Sequence, residues 1–162
     1  YKAEQVGHTA EVILAGRHTN DSMHAFVAEE IIKRATKRGK NISEVSFVML
    51  GITFKENVKD VRNSKAALLH DALKASGARV TVYDPLADSI HVKHEYDIDL
   101  EIDKANLPKA DILVVTVAHD EFKNLSVDEL KQMGNSDMLL SDIKHIFDRE
   151  RIENAGMHYW SL

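Results

Sequence analysis

Apolar residues fall in four short runs from residue 45 onward. The runs are VSFVML at 45–50, RVTVY at 79–83, ILVVTVA at 112–118 and MLLSDI at 138–143. They are nearly continuous and rich in Val, Ile or Leu, which is typical of parallel strands that are covered on both faces. The pattern therefore predicts buried strands of a parallel sheet.

Amphipathic stretches separate these runs. Residues 64–76 precede Gly77, residues 126–133 precede Gly134, and a cap for the first stretch is present at Asn63–Ser64. Apolar positions at helical spacing that end at a glycine predict helices. Helices that alternate with strands indicate right-handed crossovers between parallel strands. We therefore predict an α/β fold, an open doubly wound, Rossmann-like parallel sheet.

A further helical pattern precedes the strands. Its apolar side chains recur at helical spacing at Met23, Phe26, Val27, Ile31 and Ala35. Asn20 or Asp21 is a candidate cap and Gly39 a candidate stop. We predict one long helix over residues 21–38.

The composition of the chain changes after this helix. KRGKN at 37–41 is basic, contains glycine and has no apolar residue, as linkers often do. We therefore divide the chain into residues 1–40 and 41–162. The acidic stretch 86–107 lacks consistent periodicity and is compatible with a helix, an edge strand or a long excursion.

Composition narrows the function classes. The 162 residues are 44% hydrophobic and 29% charged with a net charge of -5, which is ordinary for a globular protein and argues against a general nucleic-acid surface. The absence of cysteine excludes disulfides, thiolate zinc sites and a cysteine nucleophile from these residues. No apolar run approaches the roughly 20 residues of a membrane span, and no secretory signal is visible. We expect a cytoplasmic location and no membrane partner.

Candidate chemistry lies in the loops that follow the predicted strands. These loops are GITFKENVKDVRNS at 51–64, DPLAD at 84–88, AHDEF at 118–122 and DIKHIF at 142–147. Open α/β sheets bind ligands at the carboxyl ends of their strands, where such loops converge. Lys55, Arg62 and Lys144 bring cations to this edge, which suits an anionic ligand such as a phosphate. The alternative is that Lys55, Lys59 and Arg62 form solvated ion pairs with Glu56 and Asp60.

Other side chains on this edge have more than one interpretation. Phe54 either plugs the top of the sheet or stacks on a ligand ring. Asp84, which ends a strand and precedes Pro85, is a turn former, a ribose ligand or an acceptor carboxylate. His119 and His145 are the histidines on this edge, and the nine histidines have neither H-x-x-x-H nor H-E-x-x-H spacing, so no metal site is expected. Neither G-x-G-x-x-G nor a P-loop motif is present.

Several longer blocks of the sequence form a recognisable set. They are LAGRHTNDSMHAFVAEEI at 14–31, GITFKENVKDVRNSKA at 51–66, RVTVYDP at 79–85, KADILVVTVAHDEFK at 109–123 and LLSDIKHIFD at 139–148. In order and spacing this set resembles the UDP-glucose/GDP-mannose dehydrogenase family, and the second block is similar to the signature that opens the family's C-terminal domain. The residues of these blocks are most similar to those of the UDP-N-acetylhexosamine dehydrogenases of surface-polysaccharide synthesis.

The resemblance implies an enzyme that oxidises the C6 alcohol of a UDP-sugar to a carboxylate with two NAD molecules, through a thioester on a catalytic cysteine. Residues 1–40 would be the end of the family's central helical region, and residues 41–162 its C-terminal UDP-sugar-binding domain. The N-terminal NAD domain and the cysteine segment would be missing. We therefore expect no catalytic residue here and an inactive fragment.

The resemblance also implies roles for individual residues. Phe54 and Lys55 match the family's pair that contacts the nucleotide sugar, and Lys144 matches the cation placed against the uridine diphosphate. Arg62 matches the arginine that reaches towards NAD on the N-terminal domain. The helix at 21–38 matches a dimer-forming helix, and exposure of its apolar stripe would predict a homodimer.

Two alternatives use the same residues differently. In a free-standing nucleotide-binding or receiver-like module, Asp84 would be the acceptor carboxylate, although a receiver also needs an acidic pair near the first strand's end, which Gly51–Thr53 does not provide. In a purely structural dimerisation piece, the loop charges would be solvated ion pairs. Binding of uridine nucleotides would separate the dehydrogenase hypothesis from both.

Overall fold

The computed structural model describes the backbone of residues 11–162 and the side chains of residues 20–162. Its strands are β1 (Ser46–Leu50), β2 (Arg79–Tyr83), β3 (Leu100–Glu101), β4 (Ala110–Val115), β5 (Gly134–Asp142) and β6 (His158–Ser161). Its helices are α1 (Glu11–Lys37), α2 (Lys65–Ala75), α3 (Ser89–Tyr96), α4 (Asp120–Lys123), α5 (Val127–Met133) and α6 (Arg149–Asn154), with a short 3-10 helix at Lys104–Asn106. Residues 1–10, the start of the predicted 1–40 segment, lie outside the described residues.

Within the described chain, the six strands form one parallel sheet in the order β3-β2-β1-β4-β5-β6. The predicted α/β, Rossmann-like parallel sheet is confirmed. β1 pairs with β2 on one side and with β4 on the other, so the direction of winding reverses between β1 and β4. In open sheets of this kind, the loops at the carboxyl side of such a switch point form the ligand crevice.

Side chains of the central strand alternate between two apolar cores. Phe47 and Met49 of β1 pack on the side of α1 and α2, whereas Val48 and Leu50 pack on the opposite side. All four are at most 1% exposed. This burial on both faces explains why the strand is a continuous apolar run rather than an alternating one.

The ends of the sheet differ more from the sequence pattern than its centre. β2 matches the predicted run 79–83, but the stretch 86–107 contains both a helix, α3, and the edge strand β3. Asp88 caps α3 by accepting the N–H groups of Ile90 and His91. The sequence pattern does not predict β6, because only two of its four residues, Tyr159 and Trp160, are apolar.

The helix α1 is longer than predicted. It spans Glu11–Lys37 in the described chain, so the prediction that Asn20 or Asp21 caps its start is wrong. Asp21 instead accepts a hydrogen bond from Lys65 Nζ of α2 at 2.7 Å. Gly39 is confirmed as the stop: it has a φ of +74°, and the N–H groups of Gly39 and Lys40 close the last turn.

Contacts between α1 and the sheet bury the apolar stripe of the helix. Val27 and Ile31 are 2% and 0% exposed and share a core with the central strands. The expectation that this stripe is exposed is therefore wrong, because the sheet of the same chain covers it. Phe26 remains 51% exposed. Near the other end of the helix, the Arg34 guanidinium lies 4.5 Å from the centre of the Trp160 ring of β6.

We expect Ile31→Ala to lower the free energy of unfolding by about 3 kcal/mol, because it removes a fully buried side chain between α1 and the sheet. The matched control is Ile90→Ala on α3, where the side chain is 76% exposed and the expected change is below about 0.5 kcal/mol. Urea unfolding followed by circular dichroism measures both. Equal losses in the two variants would contradict the docking of α1.

Candidate functional site

Gly51 brings together the loops that follow β1, β2 and β4. Its φ of +101° disfavours any residue with a Cβ, and a Cβ at this position would lie 2.5 Å from Val117 Cβ. The N–H of Gly51 donates to the carbonyl of Tyr83 at 2.8 Å, and Thr116 Oγ1 donates to the carbonyl of Gly51 at 2.6 Å. Glycine therefore permits a close approach of three loops at the switch point.

Asp84 lies buried beneath these loops and is 1% exposed. Its Oδ2 accepts the N–H groups of Ile52 at 2.7 Å and Thr53 at 3.2 Å. Its Oδ1 accepts those of Leu86 at 2.9 Å and Ala87 at 3.0 Å. The turn-former interpretation therefore fits, since this carboxylate stabilises its own turn and the loop after β1. A buried carboxylate with this many internal donors is not accessible as a phosphoryl acceptor or a ribose ligand.

His119 packs against Asp84 and is equally buried. Its Nε2 lies 3.1 Å from Asp84 Oδ2 and 3.1 Å from Thr53 Oγ1, and its Nδ1 accepts the N–H of Asn57 at 2.9 Å. Because Nδ1 is an acceptor, the ring hydrogen lies on Nε2 and is donated to Asp84. Burial by itself would raise the pKa of Asp84, but the hydrogen bonds from His119 and from backbone N–H groups outweigh burial and lower that pKa.

Residues 53–57 of the loop are held from both ends. Asn57 has a left-handed φ of +59°, and its Oδ1 accepts the N–H of Asp120 at the start of α4 at 3.0 Å. Thr53 Oγ1 donates to the carbonyl of Lys55 at 3.0 Å. The segment between Thr53 and Asn57 therefore has a defined backbone conformation although it lies at the surface.

Phe54 and Lys55 project from this held segment into solvent. Phe54 is 61% exposed, so the interpretation of its ring as a plug of the sheet is wrong. Its N–H donates to the carbonyl of Asp60 at 2.7 Å. Lys55 is exposed and makes no ion pair with any residue in the described part of the chain. An exposed ring beside an unpaired ammonium group is suited to a ligand that carries a ring and a negative charge.

Arg62 is in a different electrostatic state from Lys55. Its side chain is 76% exposed and pairs with Asp60 through Nε to Oδ1 at 2.9 Å and Nη2 to Oδ2 at 2.7 Å. These hydrogen bonds and that from the Arg62 N–H lower the pKa of Asp60 to about 2. The ion-pair alternative therefore describes Arg62. The side chain also lines an open cavity of about 500 Å³ with Lys59, His91 and His94.

Lys144 lies in the loop after β5 and lines a second cavity, of about 200 Å³, between α1, α2 and the ends of β4 and β5. Lys65, His24 and Thr116 also line this cavity. His24 Nδ1 is buried there without a hydrogen-bond partner among the described residues. Lys144 is exposed and has no ion-pair partner within residues 20–162.

A second buried carboxylate holds the loop that carries Lys144. Asp142 Oδ2 accepts the N–H of Phe147 at 2.8 Å and the hydroxyl of Tyr159 at 3.0 Å. Burial, and then the negative charge of Asp142, raise the pKa of Tyr159 to about 12. Asp142 thus fixes the loop after β5 in the way that Asp84 fixes the loop after β1.

The predicted site residues share one edge of the sheet but not one cavity. Phe54 and Lys55 follow β1 and line neither of the two cavities described above. Arg62 and Lys144 line one cavity each. The ligand roles assigned to these four residues from the resemblance stay predictions.

The hydrogen-bond network that joins Asp84, His119 and Asn57 is not predicted from the sequence. A signal was present, because Asp84 and His119 stand just after apolar strands and therefore near each other at one edge of the sheet. Nothing in the sequence indicates that both side chains are turned inward. His145, also expected on this edge, is exposed in a left-handed turn with a φ of +53°.

The described residues contain neither a cluster suited to a metal ion nor a membrane-spanning helix. Among the side chains that the structure describes, no group of three or more His, Asp or Glu residues is arranged to hold a metal ion. No helix in residues 11–162 is long and apolar enough to cross a bilayer.

Comparisons with known proteins give a consistent result. Residues 48–149 match the UDP-glucose/GDP-mannose dehydrogenase family, UDP binding domain. The chain is 32% identical over 151 residues to a UDP-N-acetyl-D-glucosamine 6-dehydrogenase of Pseudomonas aeruginosa, covering 93% of this chain and 36% of that protein. It is 35% identical over 162 residues to Protein CapL of Staphylococcus aureus, covering 100% of this chain and 38% of that protein.

Among solved structures, a UDP-D-ManNAc dehydrogenase from Pyrococcus horikoshii superposes with a TM-score of 0.80 at 21% identity. The match covers 98% of this chain and 35% of that one, and it supports the fold. The chain therefore spans about a third of the length of the proteins it matches.

We expect Asp84→Asn to lower the free energy of unfolding by about 3 kcal/mol at pH 7, because the amide NH₂ group would face N–H groups that a carboxylate oxygen now accepts. The matched control is Asp88→Asn at the exposed cap of α3, where Asn and Asp are equally good caps and the expected change is below about 0.5 kcal/mol. Urea titration at pH 7 distinguishes the two variants.

The stability of Asp84→Asn should also depend on pH differently from that of the wild type. Because the pKa of Asp84 is lowered on folding, its carboxylate stabilises the wild type above the ordinary pKa of 3.8, and this contribution is lost as pH falls through the lowered pKa. Asp84→Asn should lack that component of acid destabilisation. Parallel curves for Asp84→Asn and wild type between neutral and acid pH would contradict this role.

Proposed function

Because the chain belongs to the UDP-glucose/GDP-mannose dehydrogenase family, we propose that its carboxyl edge binds the uridine diphosphate part of a nucleotide sugar. The observation that carries the proposal is the match of residues 48–149 to the family's UDP binding domain. That range contains the loop after β1, which carries Lys55, and the loop after β5, which carries Lys144.

The side chains at this edge support the proposal chemically. Phe54 is exposed and can lie against a ring of the ligand. Lys55 and Lys144 have no ion-pair partner among the described residues, so their charges remain for the two phosphate groups. Substrate binding by Phe54, Lys55 and Lys144 therefore needs no rearrangement of ion pairs. The receiver-like alternative has no comparable support, because Asp84 is buried.

The whole enzyme would oxidise the C6 alcohol of a UDP-sugar, such as a UDP-N-acetylhexosamine or UDP-glucose, to the carboxylate in surface-polysaccharide synthesis. Two molecules of NAD would each accept one hydride in this four-electron oxidation. Since the reaction in this family uses a cysteine and the chain has none, the isolated chain would bind without turnover. This activity would be cytoplasmic.

Arg62 is the proposed contact to NAD. Its guanidinium lines an open cavity together with Lys59, and both groups suit the phosphates of a dinucleotide. The pair with Asp60 would have to be shared or broken when such a ligand binds. Exposed ion pairs contribute only about 0 to 1 kcal/mol, so this cost is small.

We expect the chain to bind UDP with a dissociation constant of roughly 1 mM or lower in a calorimetric titration. Lys55→Ala and Lys144→Ala should each weaken binding about tenfold, because each removes a charge-assisted hydrogen bond to phosphate. Lys109→Ala is the control, since Lys109 directly precedes β4 at the amino edge of the sheet, where its Nζ donates to the carbonyl of Gln132. A titration with GDP tests whether the base of the nucleotide contributes to the affinity.

Two results would contradict this proposal. One is the absence of UDP binding at millimolar concentration. The other is an equal effect of Lys109→Ala and Lys55→Ala, which would mean that UDP binding responds only to overall charge.

The chain is further proposed to form a homodimer through the 21–38 helix. The support is the exposed Phe26 side chain on the face of α1 that does not pack on the sheet. Phe26→Glu should convert a dimer into a monomer in size-exclusion chromatography with light scattering, whereas Ile90→Glu, at a residue that is also exposed, should not. A monomeric wild type would rule out the dimer.

A further inference from the structure

We infer that His119 is a positioning residue for nucleotide binding: together with Asp84 and Asn57 it holds Phe54 and Lys55 in the conformation that meets the ligand. This inference rests on the proposed function, since it concerns the same edge of the sheet. His119 is 1% exposed and would not itself touch the nucleotide.

The contacts of His119 lie on both sides of the exposed residues of the loop after β1. His119 contacts Thr53 through Nε2 and Asn57 through Nδ1, so one ring contacts the residues on both sides of the segment 54–56. The side chains of that segment are all exposed. The ring therefore fixes the two ends of a segment whose own side chains are exposed and accessible to a ligand.

The ring of His119 is itself held rigidly. Asp84 accepts from His119 Nε2 at 3.1 Å and also accepts the N–H groups of Ile52 and Thr53. The His119 and Phe122 rings lie 5.3 Å apart between centres. Loops after β1, β2 and β4 are thereby connected through one imidazole, and movement of any of them disturbs the other two.

Histidine suits position 119 because of the spacing between its two ring nitrogens. The site needs an acceptor towards Asn57 and, about two atoms further on, a donor towards Asp84 and Thr53. Imidazole supplies both in one rigid ring. Asparagine can place an oxygen near the position of Nδ1, and glutamine can place an NH₂ group near the position of Nε2, but neither replaces both atoms.

The consequence for binding is preorganisation. A surface loop that must be ordered by its ligand weakens the observed affinity by the cost of that ordering. Since the segment 53–57 is already held, Lys55 meets the phosphates without this cost. Loss of the Asn57 contact should therefore weaken UDP binding even though no atom of the ligand contacts His119.

The test uses His119→Asn and His119→Gln, which separate the two halves of the network. His119→Asn loses the contacts of Nε2 and His119→Gln loses that of Nδ1, and both variants should be destabilised in urea titrations. In His119→Gln the amide N–H of Asn57 has no acceptor, so its hydrogen exchange should accelerate and UDP should bind about tenfold more weakly. In His119→Asn that N–H retains an acceptor, and UDP affinity should stay within about threefold of wild type.

His158→Gln is the control for a histidine-to-glutamine change, since His158 begins β6 at the opposite edge and is exposed. It should leave both UDP affinity and Asn57 exchange unchanged. Amide exchange by NMR and calorimetric titration with UDP are measured on the same samples.

The possible outcomes separate this inference from the proposed function. If both His119 variants weaken UDP binding equally, in proportion to their loss of stability, His119 is merely structural and the inference is overturned. If wild type does not bind UDP, the proposed function fails, and Asn57 exchange still decides whether His119 holds the loop: unchanged exchange in His119→Gln would overturn that too. Faster exchange in His119→Gln alone supports it.

Discussion

The buried carboxylate of Asp84 collects N–H groups from two loops and the ring of His119 from a third, at the point where the sheet reverses its winding. An ionised group without partners would be very costly to bury at this depth. Here its two oxygens have five donors, and the loops are thereby forced into register with one another. The conformation of the carboxyl edge follows from satisfying this one charge, and the exposed residues of that edge depend on it indirectly.

The fold could largely be predicted because the central strands are covered on both faces. A strand such as Phe47–Leu50 must be continuously apolar, and few other structures produce four such runs with helices between them. Prediction fails at the edges of the sheet, where burial is partial: β3 is two residues long, and β6 includes polar residues. It also fails at α1, which continues through the candidate caps Asn20 and Asp21 to Glu11.

The types of residue at the candidate site could be predicted, but not how their side chains are arranged. Topology alone places Lys55, Arg62 and Lys144 at the carboxyl edge. Which of them is paired depends on side-chain geometry over a few ångströms: Asp60 pairs with Arg62, while Lys55 has no ion-pair partner among the side chains that the structure describes. Polar residues that follow buried strands, such as Asp84 and His119, have no sequence feature that separates a ligand contact from an internal hydrogen bond. Only their burial makes that distinction.

The contact between Arg34 and Trp160 has a practical consequence. Trp160 is the single tryptophan of the chain, and its partly buried ring lies under a guanidinium from α1 at the far edge of the sheet. Its emission is therefore a built-in spectroscopic probe of one particular event, the separation of the long helix from the sheet. Intrinsic fluorescence would follow that motion without any label and distinguish it from changes at the loops after β1 and β4.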